Sequence, residues 1–74
     1  MLLSEARVRV RGIVSDLKCK DSVKRRLMDI GLIKGVEIEV KGRAPLGDPI
    51  LIYLRGFSLA IRNADAKYII LKQI

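Results

Sequence analysis

Val36, Ile38 and Val40 alternate with Glu37, Glu39 and Lys41, the two-residue period of a strand with one face in a core and the other in water. Just before this run the period is different. Val23, Leu27 and Ile30 recur at i, i+4 and i+7 with Met28 beside them, while Lys24, Arg25 and Asp29 fall on the opposite side. This spacing predicts an amphipathic helix of about three turns ending at Ile30. Asp21 or Ser22 is expected to cap its first amides, and Gly31 to carry the chain out through the left-handed region that a Cβ disfavours. Leu32 then folds back onto the last turn, and Gly35 opens the strand.

The remaining chain reads as short strands. Ala6 to Val14 alternates, placing Arg7, Arg9 and Arg11 on one face, with a bend expected at Gly12. Ser15 to Lys20 is a polar connector that continues the strand or leads into the helix. Gly42 to Pro49 is dense in turn formers and closes on two prolines, which predicts a loop between strands. Ile50 to Arg55 is apolar on both sides for most of its length, as expected of a strand covered on both faces. Gly56 ends or bulges it. Phe57 to Arg62 alternates again, Asn63 to Lys67 fits one helical turn capped by Asn63, and Tyr68 to Lys72 is a last strand. Five short strands and one helix inserted after the first strand predict a mainly β fold, a strongly bent sheet closing on itself as a small barrel.

With 74 residues, one domain spanning 1–74 is expected, and its core must come from Ile, Leu and Val because Tyr53, Phe57 and Tyr68 are the only aromatics. A single cysteine, Cys19, makes no internal disulfide, which suggests a reducing, cytoplasmic setting. Met1-Leu2-Leu3 is too short for a signal-peptide apolar region, and no run approaches the ~20 residues of a spanning helix.

Fifteen Lys and Arg against eight Asp and Glu give a net charge of +7, which draws nucleic acid, anionic lipid or an acidic protein surface. Arg7, Arg9 and Arg11, with Lys20, Lys24 and Arg25 at the helix start, could contact phosphates. Stacking groups are scarce for single-stranded recognition, however, and no second helix accompanies the first at helix-turn-helix spacing.

Several chemistries lack the residues they need. Without histidine and with one cysteine, no zinc or ferrous site of the nitrogen and sulfur kind can form within one chain, and any site would be all oxygen. Glu37 and Glu39 share a strand face but sit about 7 Å apart. Gly31 and Gly35 lack the phosphate-loop pattern, and Gly31 follows a helix where such a loop precedes one. Gly31, Gly35, Gly47 and Gly56 are therefore read as structural turns. Cys19 has no histidine to act as its base, and no serine stands with a histidine and an acid. The expectation is a binding protein, neither an enzyme nor the holder of a cofactor, that binds Fe²⁺ and Zn²⁺ weakly at best as a monomer.

Arg26-Leu27-Met28-Asp29-Ile30-Gly31-Leu32-Ile33-Lys34-Gly35-Val36-Glu37-Ile38, then Ala44-Pro45-Leu46-Gly47-Asp48-Pro49-Ile50, then Arg55-Gly56-Phe57-Ser58-Leu59-Ala60-Ile61-Arg62, closely resemble the FeoA family of ferrous iron transport accessory proteins. The resemblance covers about three quarters of the chain, in three blocks that occur in order. It implies an SH3-like barrel and a non-enzymatic, cytosolic role beside FeoB, the membrane ferrous iron transporter with a cytoplasmic GTP-binding domain, to which the chain would be recruited at the inner face of the membrane. Leu46 stands at the loop tip with no strand to bury it, and Arg55 and Phe57 flank the next turn. These three, with Asp48, Lys24 and Arg25, are the candidate partner-binding residues. The alternatives are a basic barrel that binds nucleic acid, or a free-standing relative of the C-terminal domain of metal-dependent repressors of the diphtheria toxin repressor type.

Overall fold

The structure, a computed structural model, describes residues 1–74. A one-turn 3-10 helix at Leu3–Glu5 precedes β1 (Arg11–Leu17), α1 (Asp21–Asp29), β2 (Glu37–Arg43), β3 (Ile50–Leu54), β4 (Phe57–Ile61), the short α2 (Asn63–Ala66) and β5 (Ile69–Gln73). All strand pairs are antiparallel, in the order β4-β3-β2-β1-β5. Two register shifts, between Val14 and Asp16 in β1 and between Val40 and Gly42 in β2, bend the sheet around its core. β4 and β5 are the ends of the sheet and do not bond to each other. The chain crosses between them through α2, against which the N-terminal 3-10 helix packs.

Sixteen apolar side chains form one buried cluster, all of them Leu, Ile, Val or Ala. Every strand contributes: Ile38 and Val40 from β2, Ile50, Ile52 and Leu54 from β3 and Ile69 and Leu71 from β5 alternate, Val14 and Leu17 from β1 lie either side of its register shift, and β4 adds Ile61. Leu3, Ala6 and Ala66 are buried with them where the sheet is open.

The helix ends as its sequence predicts. Gly31 has φ +103°, its N–H donates to the Met28 carbonyl and the Leu32 N–H to the Leu27 carbonyl, both at 3.0 Å. These are the paired bonds of a Schellman ending, and Leu32 and Leu27, the residues it brings together, are both buried. Two details differ from expectation. The cap position is Lys20, with no side-chain cap, and Asp21 lies in the first turn, where its charge complements the helix dipole. Ile30 is largely exposed, because Leu32 takes the core position at this end of the helix.

The first strand begins later than the alternation suggested. Residues 7 to 10 form a turn closed by the Val10 N–H on the Arg7 carbonyl at 3.1 Å, with Arg9 at φ +79°. Arg7, Arg9 and Arg11 therefore do not share a strand face. β3 also differs: Ile50, Ile52 and Leu54 are buried, but Leu51 and Tyr53 face solvent. The sheet has one wet face, so the continuous apolar run does not mark a doubly covered strand. Asn63 does not cap α2 with its own side chain; the carboxylate of Asp48 accepts the Asn63 N–H at 2.9 Å from outside the helix.

β3 and β4 are joined by Arg55 and Gly56, at φ +48° and +89°, the left-handed pair of a type I′ hairpin turn. Arginine is strained at the first of these positions, which favours asparagine or glycine. Arg55→Asn is expected to stabilise the fold by about 0.5 kcal/mol; a thermal melt whose midpoint stays put or falls would contradict this.

Candidate functional site

The loop between β2 and β3 is held by hydrogen bonds from two other segments, Arg43 of β2 and Asn63 of α2. Within it the Gly47 N–H donates to the Ala44 carbonyl at 2.7 Å, and the Ala44 N–H to the Pro49 carbonyl at 3.0 Å. The Asp48–Pro49 peptide is cis. Arg43, the last residue of β2, sends Nη1 to the Gly47 carbonyl at 3.2 Å and to Asn63 Oδ1 at 3.3 Å, and Nη2 to the carbonyls of Ser4 and Ala6 at 2.8 and 2.9 Å. Asn63 Nδ2 adds a further bond to the Gly47 carbonyl at 3.2 Å. One guanidinium thus joins the N-terminal turn, the loop and α2. On this support stands Leu46, 96% exposed. A leucine so exposed on an anchored loop gains nothing from the fold it sits on.

Asp48 is exposed in the same loop, with one carboxylate oxygen engaged by α2. Arg55 and Phe57 lie elsewhere. β3 starts beside the loop and ends at the Arg55–Gly56 turn, so five residues of strand, roughly 16 Å, separate the two groups. Phe57 is 45% exposed, and its Cζ comes within 3.9 Å of where a Cβ on Gly31 would lie, which places the ring against the end of α1. α1 exposes Met28 and Ile30, and Lys24 and Arg25 line a shallow hollow on it with Asp21, Met28 and Asp29. The structure therefore separates the predicted residues into two places, Leu46 with Asp48 at one end of β3, and Phe57 beside α1 at the other. The four turn glycines, Gly31, Gly35, Gly47 and Gly56, all have positive φ.

Arg43 was not singled out by its sequence. It stands at the end of an alternating run, as Arg62 does, and its acceptors are mostly backbone carbonyls that no side-chain motif announces.

The outer face of the sheet carries a groove of about 500 Å³ lined by Arg11, Glu37, Glu39, Tyr53 and Arg55 among others. Its charges largely answer one another. Arg11 bonds Glu37 at 2.8 Å, and Lys41 meets Glu39 at 3.2 Å while lying 5.5 Å from the centre of the Tyr53 ring. The hydrogen bond to Glu37, reinforced by its charge, raises the Arg11 pKa further above its ordinary value. At the other end of β1, the Leu17 N–H and then Lys18 hold the Asp16 carboxyl below the usual range. No three Cys, Asp or Glu side chains gather closely enough to hold a metal ion. Cys19 is half-buried in a groove with Lys18, Lys20, Val23 and Tyr68.

A bent five-stranded antiparallel sheet around an aliphatic core, with a helix between β1 and β2, defines an SH3-like barrel. The chain belongs to the FeoA family, whose FeoA domain matches residues 1–73. The solution structure of the FeoA-like protein from Clostridium acetobutylicum is 36% identical, with a TM-score of 0.92 over 100% of this chain and 86% of that one. A zinc complex of FeoA from Stenotrophomonas maltophilia, described as a prokaryotic SH3 domain protein and a candidate ferrous iron transport activating factor, is 28% identical, with a TM-score of 0.82 over 97% of this chain and 89% of that one. A manganese-dependent transcriptional repressor shares the fold at a TM-score of 0.92, over 100% of this chain but 36% of its own, with 17% identity. No curated protein matches the sequence.

Proposed function

We propose that this chain is a non-enzymatic accessory protein of ferrous iron uptake, which acts as a monomer in the cytoplasm by binding the cytoplasmic part of a FeoB-like transporter and modulating its assembly or activity. Membership of the FeoA family supports the process. Leu46 carries the binding claim: a leucine 96% exposed on a loop fixed by Arg43 and Asn63 is a preorganised anchor for an apolar pocket. The net charge of +7 on the whole chain steers encounter with an acidic surface.

Exposed Tyr53 and Phe57 supply stacking surfaces that a core location would have removed. Tyr53, however, lies beside Glu39 and under Lys41, with Glu37 one residue pair away. The basic residues beside Tyr53 are thus largely engaged by carboxylates and leave little surplus charge for a phosphate backbone, so RNA is the weaker reading.

The test titrates the transporter's cytoplasmic GTPase domain and a single-stranded RNA against wild type and Leu46→Asp. Because Leu46 touches little, the substitution is expected to change stability by less than about 0.5 kcal/mol and to weaken binding to the GTPase domain at least tenfold. Binding to that domain is expected to survive between about 50 and 200 mM salt, whereas phosphate-dominated binding falls by orders of magnitude. Tight binding of RNA with none of the GTPase domain would overturn the proposal. Equal binding by wild type and a folded Leu46→Asp would remove the loop from the interface.

A further inference from the structure

The sheet has two ends, and only one is closed. At the outer edge of β5 the Met1 amino group donates to the Leu71 carbonyl and the Leu71 N–H returns a bond to the Met1 carbonyl, both at 2.7 Å, while Leu2 bridges Ile70. The outer edge of β4 has no such cover: no backbone hydrogen bond outside its ladder with β3 reaches Phe57–Ile61.

The hairpin turn determines which groups are open. Leu54 and Phe57 flank a two-residue turn and so form a hydrogen-bonded pair. Alternation then makes Ile52 with Leu59, and Ile50 with Ile61, the next bonded pairs. The N–H and C=O of Ser58 and Ala60 consequently point away from β3, and both residues are exposed. Sheets usually protect such an edge with proline, lysine, a bulge or an inward-pointing charge. β4 reads Phe-Ser-Leu-Ala-Ile, pairs in unbroken register and has none of these.

Charge selects what fits. Arg55 precedes the strand and Arg62 follows it, both exposed and neither in any of the ion pairs. A second copy of this chain is disfavoured: antiparallel pairing of β4 with itself about Leu59, the register that uses both Ser58 and Ala60, sets Arg62 of each copy against the Arg55–Gly56 turn of the other. Like charges would meet at both ends of the new pair.

We propose that the free edge of β4 takes up, by main-chain pairing, an extended segment of the partner protein that carries acidic residues at both ends of the paired stretch. The partner is the one assigned in the adaptor reading above, on which this inference rests. Ser58 and Ala60 supply the hydrogen bonds, Arg55 and Arg62 fix the register, and the side chains of the added strand continue the outer face beside Ser58 and Ala60.

The test uses Ala60→Pro, which removes the outward N–H at a position where an edge strand tolerates proline, with Ser58→Pro as the second variant should the first not fold. Arg62→Glu probes the charge. Each is titrated against two probes, the transporter's cytoplasmic domain and a synthetic peptide of alternating Val and Thr flanked by paired Glu, with amide NMR spectra reporting both folding and response. The expected result is that residues 57–61 of wild type respond to both probes, that a well-dispersed proline variant binds each at least tenfold more weakly, and that Arg62→Glu weakens both. If the domain binds wild type and the folded proline variant equally, the edge proposal is overturned and the adaptor reading stands. If the peptide pairs with the edge and the domain binds nowhere, the adaptor reading fails while the edge remains a strand acceptor. A wild-type dimer in sedimentation that Ala60→Pro dissociates would make a second copy the occupant and overturn the choice of partner.

Discussion

Replacing Arg43 by alanine is expected to lower the unfolding free energy by about 3 kcal/mol, a large share of the roughly 4–11 kcal/mol typical of a chain this size. Four hydrogen bonds are lost at once: the carbonyls of Ser4 and Ala6 and the side-chain oxygen of Asn63 lose their donor, and the Gly47 carbonyl keeps only Asn63 Nδ2. They belong to the N-terminal turn, the loop and α2, so the loss unties three segments where the sheet is open. Lysine should restore only part of the effect, because one ammonium cannot face all four acceptors as a planar guanidinium does. None of the ion pairs includes Arg43, so the difference between wild type and variant should persist at high salt. Chemical denaturation of wild type, Arg43→Ala and Arg43→Lys measures this. An alanine variant within about 0.5 kcal/mol of wild type, the range of an ordinary surface substitution, would show that the bonds are replaced by water without cost.

Gly31→Val should cost about 2 kcal/mol and Gly31→Ala about 1. The alanine Cβ would lie 3.5 Å from Leu54 Cδ1 and 3.9 Å from Phe57 Cζ, ordinary contact distances, so its cost is that of holding φ near +103°. Valine adds two methyl groups to a space already bordered by those side chains and restricts its own χ1. A denaturant midpoint unchanged in Gly31→Val would mean that the helix end can be rebuilt without the left-handed residue.

The parts of this fold that are legible in the sequence are those set by neighbours in the chain. Leu27, Gly31 and Leu32 specify the end of α1, and Val36, Ile38 and Val40 the inner face of β2, because helix and strand periods are local. Arg7 to Val10 alternates just as well, yet it is a turn. What stops extension there is tertiary, the Arg9 N–H bonding the Val40 carbonyl at 2.7 Å and the Val40 N–H the Val10 carbonyl at 2.9 Å. Leu51 and Tyr53 face solvent although the apolar run predicts burial, because apolar residues also suit the wet face of a strand. In the candidate site, Leu46 and the turn glycines were visible from the loop composition. The division of the site into two places was not, since it follows from β3 running between them. Arg43 was hidden because its partners lie in segments 4 to 39 residues away, and nothing in its own surroundings marks it.

The place of β1 in the sheet governs the order in which the chain can fold. β2, β3 and β4 join by consecutive hairpins, each available as soon as its second strand exists. β1 is different. One of its neighbours is β5, which pairs Gly12 with Gln73 and Leu17 with Ile69, well over half the length of the chain apart. On the ribosome, β1 keeps an open side until residues 69–73 have emerged, and the N-terminal turn that rests on β5 waits with it. Closure of this long-range pair carries the largest loop entropy of any strand pair in the sheet, so it is the step that should set the folding rate and make it slow for so short a chain.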